Sequence, residues 1–237
     1  MRSEFDGVVI EKQQVLCDAV NCHNLSIKGI GEFRSEVEAD FVDISGEACF
    51  ESYITCDKMT VRNRCVCKST LLTTSLRIIG VMAVYGKLNS ENVIVHGALK
   101  FRGNLRAYSF LVRQGSLAKG SAKLKTSNCV INGVLNNSGE VTANEFKICS
   151  NKMSRIQEIR TDKFSVKLNP DCEKPDDEFL LSCDFVDCFE AELEYCNIDK
   201  LYCDSAIIRK GCTIHEILYR DSIEIEPGAH VERLSRT

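Results

Sequence analysis

The chain has 237 residues, 44% hydrophobic and 27% charged, with a formal net charge of −4. That length suits one elongated domain or two ordinary ones, and no apolar run approaches the roughly eighteen residues of a membrane-spanning helix. The opening stretch, Met1 to Gly7, has no apolar segment of signal-peptide length, so the expected location is cytoplasmic, with a membrane-proximal position left open.

Residues 1–12 read as a partial first rung, because Val8, Val9 and Ile10 form a short apolar run. From Gln13 to Ser150 the chain aligns in eight rows of seventeen, with only Gly115 and Ser116 outside the frame. The eighth column carries residues such as Val20, Val37, Leu71 and Leu105. The thirteenth carries Leu25, Val42, Leu76 and Phe110, and the fifteenth carries Ile27, Ile44, Ile78 and Val112. The tenth column is small (Cys22, Ala39, Thr73, Ala107), and the sixth is smaller still (Ser35, Ser52, Gly86, Gly103). Columns eight and ten are two apart, as are thirteen and fifteen. Alternation by two is a strand signal, β-branched residues fit strands, and seventeen sustains no helical face.

One row has no way to bury its apolar side alone, whereas stacked rows do so in parallel, in-register ladders. The expected fold is therefore all-β: a single-domain, right-handed parallel β-helix of about 17 residues per rung and roughly eleven rungs, spaced by ~4.8 Å. Gly or Asn closes most rows, which suits a bend needing positive φ. The small sixth column suits a corner where backbones crowd.

The regular rungs span 13–168, since Ile159, Thr161, Phe164 and Val166 continue the columns after a one-residue slip. Residues 169–178, with two prolines and five acids, read as a loop bulging from a continuous solenoid. Residues 179–237 resume strand pairs less regularly, through Val186/Cys188, Leu201/Cys203, Ile217/Tyr219 and Ile223/Ile225, and give two or three more rungs. Val231 closes the pattern.

Of the fourteen cysteines, many fall in apolar or small columns: Cys22, Cys56, Cys67, Cys129, Cys188 and Cys203. Reduced thiols packed as small hydrophobes are expected, rather than a disulfide scaffold. Cys65 and Cys67 resemble a metal pair but lack a second pair at matched spacing, so no metal or cofactor is expected. His215-Glu216 lacks the second histidine of a zinc-protease motif. The acids between Glu32 and Glu51 read as solvated faces rather than the carboxylate pairs of solenoid polysaccharide-cleaving enzymes, and no catalytic residue is assigned.

Between Asn92 and Gly139 there is no acid, but seven bases: Lys100, Arg102, Arg106, Arg113, Lys119, Lys123 and Lys125. They offer a face for an anionic partner or for lateral attraction to the acidic stretch 169–199 of a neighbouring rod. No nucleic-acid partner is expected.

The run from Leu193 to Val231, with Gly211-Cys212-Thr213-Ile214 and Ser222-Ile223-Glu224-Ile225-Glu226-Pro227-Gly228-Ala229, resembles the tail of Firmicutes-type bactofilins, polymer-forming cytoskeletal proteins. Residues 154–166 also resemble that family, although Arg160-Thr161 stands in place of a glycine pair. The resemblance implies a three-sided β-helix that assembles without nucleotide into non-polar filaments through its end rungs. It also implies roles in cell shape and envelope scaffolding, with other bactofilins or cell-envelope proteins as partners. The family's flexible apolar N-terminal tail has no counterpart here, which leaves direct membrane binding doubtful.

A solenoid end also leaves unpaired strand edges and an uncovered apolar rung. Val8, Val9 and Ile10 at one end, and Ile223, Ile225 and Val231 at the other, are therefore the candidate self-assembly residues. The alternative function is a monomeric binding module that uses a flat solenoid face for a cell-wall polymer or a partner protein.

Overall fold

The computed structural model describes residues 5–237. The strands are β1 (Phe5–Ile10), β2 (Gln13–Leu16), β3 (Val20–Ile27), β4 (Ile30–Phe33), β5 (Val37–Ile44), β6 (Glu47–Phe50), β7 (Ile54–Val61), β8 (Arg64–Cys67), β9 (Leu71–Ile78), β10 (Val81–Val84), β11 (Leu88–Val95), β12 (Ala98–Phe101), β13 (Leu105–Val112), β14 (Leu117–Gly120), β15 (Leu124–Ile131), β16 (Val134–Ser150), β17 (Ser154–Leu168), β18 (Leu181–Leu193), β19 (Cys196–Ile208), β20 (Thr213–Ile225) and β21 (His230–Arg236). Every pairing among them is parallel, and each strand pairs with its counterpart one turn away. The fold is a parallel β-solenoid of about 14 turns with ~17 residues per turn. That exceeds the eleven turns expected, because four strands, β18 to β21, stack after the loop where two or three rungs were expected, and a partial rung precedes the first full one.

The expected columns form the core. Val37 stacks on Ile54, which stacks on Leu71, and Ile44 stacks on Val61, which stacks on Ile78. All six side chains are buried. A four-residue strand alternates exposed and buried, so its second and fourth residues also face inward, as Ala48 and Phe50 do in β6. This fourth column runs through Phe33, Phe50, Cys67, Val84 and Phe101; the sequence reading placed Cys67 and Phe101 in apolar columns without following the column itself. The Phe33 and Phe50 rings stack with centroids 4.8 Å apart.

The eight-residue strands show two consecutive positions in the middle that are exposed or half-buried, both exposed in β7. There the strand turns a corner while keeping its ladder. The three sides of a rung are therefore columns one to four, seven to ten, and twelve to fifteen. Column ten sits inside that corner, which is why it is small. Where it is threonine, the hydroxyl satisfies the bent backbone: Thr126 Oγ1 donates to the carbonyls of Tyr108 and Asn128, each at 3.0 Å.

The glycines that close the rows do not need positive φ, contrary to expectation. Positive φ among glycines occurs only at Gly115, Gly211 and Gly228. At Gly46 the cause is close approach: a Cβ there would lie 2.0 Å from the Gly29 carbonyl oxygen of the turn before. The sixth column obeys the same constraint, since a Cβ on Gly103 would lie 2.0 Å from the Gly86 oxygen.

After the loop the rungs shorten briefly, returning to seventeen residues between β20 and β21. Val186 stacks on Leu201, only fifteen residues later, and each rung becomes one continuous strand of 13 residues in β18 and β19. The columns survive because the residues removed come from the bends. The loop at 169–178 leaves the solenoid continuous, since β17 pairs directly with β18 across it. It is tied back by the Asp176 amide donating to the Asn151 carbonyl at 2.7 Å.

Candidate functional site

The two ends of the ladder differ from everything between them. At the first end, β1 pairs only with β3, and β2 only with β4, among the described residues. Their outer N–H and C=O rows are open. At the other end, β21 pairs only with β20, and the segment Ser222–Ile225 of β20 pairs only with Ser205–Ile208. No helix among the described residues covers either end.

The candidate residues divide by register. Val8 stacks on Leu25 and Ile10 on Ile27, so both face inward in columns thirteen and fifteen. Val9 stacks on Ser26, points outward and is 54% exposed. It therefore belongs to the side of the rod rather than to the end face. Ile223 and Ile225 occupy the same two inward columns at the far end. Ile225 is nonetheless 40% exposed, because no rung covers it. Val231 stacks on Ile214 in column four.

One end residue was missed. Leu234 stacks on Ile217 in column eight and is 45% exposed. The period itself points to it, seventeen residues after Ile217. At the first end, Leu16 and Val20 head columns four and eight. They border a recess of about 880 Å³ that runs along the outer face of the second side, past Asn21, Glu36, Glu38, Tyr53 and Thr55.

The run of seven bases does not form one patch. Lys100 and Lys119 stack on the outside of the short strands. Arg106 and Lys125 stack on the second side. Arg102 lies over the Tyr85 ring, 4.9 Å from its centroid, and Lys123 pairs with Glu140 at 2.7 Å. Arg113 follows β13 at a third corner. Four of the eleven acids of 169–199, Asp187, Glu190, Glu192 and Glu194, form ion pairs within the rod. Asp187 meets Arg160 at 3.1 Å, and Glu192 meets Lys167 at 2.6 Å and Arg209 at 2.7 Å. Glu32 and Glu51 likewise pair with Arg34 and Lys68.

Ten of the fourteen cysteines are buried in the core, whereas Cys17 is exposed and Cys49, Cys149 and Cys172 are half-buried. Cys65 and Cys67 are buried, with sulfurs 3.8 Å apart, and no group of three metal-ligating side chains occurs among the described residues. Burial pushes the Cys56 and Cys203 thiols up to about 11 and the Cys183 thiol to about 12. A thiol held so firmly in its protonated form is a poor nucleophile. His215 sits at the last rungs, between Glu232 at 2.5 Å and Arg233 at 2.8 Å. No helix among the described residues is long and apolar enough to cross a membrane.

Comparison with protein-family models, curated proteins and solved structures finds no match for this chain.

Proposed function

We propose that the chain is a structural scaffold that assembles with copies of itself through its terminal rungs, without nucleotide. The observation that carries this reading is the pair of open ends. Each carries a parallel strand edge unpaired among the described residues, and at the far end Ile225 and Leu234 face inward yet are 40% and 45% exposed, whereas Ile10 at the first end is buried. Strand edges of this kind pair with further strands unless they are blunted; β21 carries no proline, although Glu232, Arg233 and Arg236 place charges along it. The resemblance of residues 193–231 to the bactofilin tail points the same way, toward a cytoskeletal role.

Electron microscopy and sedimentation of the purified protein, with no nucleotide added, test the reading. Elongated assemblies one solenoid wide are the expected result. A strict monomer at high concentration would overturn it and leave the flat-face binding module as the better account.

A further inference from the structure

The second side of the rod divides its charge by height. With the row from Gln13 as the first rung, the outward positions of this side are columns seven, nine and eleven. Rungs two and three carry Glu36, Glu38, Asp40 and Asp57 there, and no base. Rungs six and seven carry Arg106, Lys123 and Lys125, and no acid. Rungs four and five, between them, balance Lys87 against Glu91 and hold Leu72, which is 38% exposed. Glu38 and Lys125 share column nine and lie five rungs apart, a distance of about 24 Å along the rod. The first side differs, because its acids and bases pair within the chain, as Glu32 does with Arg34 and Glu51 with Lys68.

We propose that this face pairs with the same face of a second copy, the two rods running antiparallel. The contact goes beyond the end-rung reading above and uses neither end of the rod. When a copy is turned over about an axis along the strands, the face meets itself column on column. Rung two then lies on rung seven, three on six, and four on five. Glu38 meets Lys125 of the second copy and Glu36 meets Lys123, and two-fold symmetry repeats each pair.

Shape and exposure agree with the charges. The recess along rungs two and three is bordered by Glu36, Glu38, Tyr53 and Thr55, and it receives the long Arg106 and Lys125 side chains of the second copy. Arg106 and Lys125 are exposed and make no ion pair among the described residues. The Lys123 side chain is 70% exposed even while it meets Glu140. Asp57 faces Tyr108, which is 63% exposed and supplies a hydroxyl donor. The Leu72 side chains of the two copies lie beside the axis, an apolar centre inside a charged rim.

Other arrangements set like charges together. Parallel rods place each rung on its own copy, so that Glu38 meets Glu38 and Lys125 meets Lys125. A slip of the antiparallel pair by one rung brings Asp57 onto Glu91, and a slip the other way brings Glu36 onto Glu140. Such contacts cost more than an exposed ion pair gains. The charge pattern therefore selects one orientation and one register, and the resulting pair is non-polar. Because each exposed ion pair contributes little, the pair depends on several acting together and weakens in raised salt.

The test is carbodiimide cross-linking of the full chain at low ionic strength, which joins a lysine to a carboxylate in direct contact, with the linked peptides mapped by mass spectrometry. Links of Glu38 to Lys125 and of Glu36 to Lys123 are expected, and five rungs of separation mean that they form only between copies. Glu38→Lys alone and Lys125→Glu alone each set like charges together twice. Each is expected to reduce the Glu36–Lys123 link, whose residues neither substitution touches, at least about tenfold. An equal mixture of the two variants restores opposite charges at both places and is expected to recover that link, which also shows that both variants fold. Absence of the two links in the unaltered protein, or a mixture no better linked than either variant alone, would overturn the pairing. Linked pairs that form no elongated assemblies would sink the end-rung function and leave this inference standing, whereas elongated assemblies without the links would do the reverse.

Discussion

Leu105 and Leu234 occupy the same column of the same ladder, yet one is wholly buried and the other 45% exposed. Leu105 has Leu88 on one side and Leu124 on the other. Leu234 has only Ile217. In a solenoid, a residue's environment is set less by its own rung than by whether another rung lies on each side of it. Interior positions specify the fold, and the same positions in the last rung stay partly exposed.

The sharpest way to break that comparison is to place a charge at both sites. Leu105→Arg buries an unpaired cation and is expected to cost about 3–5 kcal/mol, enough to unfold much of the chain. Leu234→Arg keeps its charge at the solvent and is expected to shift stability by less than about 1 kcal/mol. Urea denaturation of the two variants measures the difference. Equal losses would mean that the last rung is as tightly covered as the middle.

Glycines sharpen the same contrast with a smaller effect. A Cβ on Gly120 would lie 2.1 Å from the Phe101 ring of the rung before. Gly120→Val is therefore expected to destabilise by about 1–3 kcal/mol through overpacking, and much of that loss should return when Phe101→Leu is added. A Cβ on Gly7, in the terminal β1, meets nothing closer than 3.5 Å. Gly7→Ala is expected to change the melting temperature little, or to raise it slightly through reduced freedom of the unfolded chain.

The smallest effect concerns pH. The buried Cys56 and Cys183 thiols are pushed by desolvation from 9.0 to about 11 and about 12. Between those values the unfolded chain binds fewer protons than the folded one, so stability falls as pH rises. The contribution is complete below about pH 9 and disappears as pH passes through 11 to 12. Melting temperatures measured from pH 8 to 11 should decline, and Cys56→Ala and Cys183→Ala should each flatten the decline relative to the parent. An unchanged slope in both would remove buried thiols as its cause.

Much of this was legible in the amino-acid order. Ile44, Val61 and Ile78 recur at seventeen because each must meet the one before, so the ladder is a local preference written many times. The short-strand column through Phe33 and Phe50 was harder to read, because it mixes Cys67, Gly120 and Asn137 with aromatics. Gly120 is tolerated only because the Phe101 ring leans into its place. The brief shortening of the rungs after the loop was hidden because it removes bend residues, whose identity the columns do not constrain. The basic run looked continuous along the chain, but a rung turns through three sides in seventeen residues and scatters neighbours around the rod. Val9 looked like an end contact for the same reason: apolarity was visible, but the direction it faces was not.

The sequence by itself determined the strand identity, the period and the inward columns, because like residues stacked at ~4.8 Å must share chemistry wherever the turn repeats. Only the tertiary structure decided where the ladder begins and stops on its three sides, and therefore which apolar residues lack a covering rung. The physical reason is that burial in a solenoid comes from the neighbouring turn. A residue's type records what it prefers to meet, whereas the register of the first and last strands decides whether anything is there.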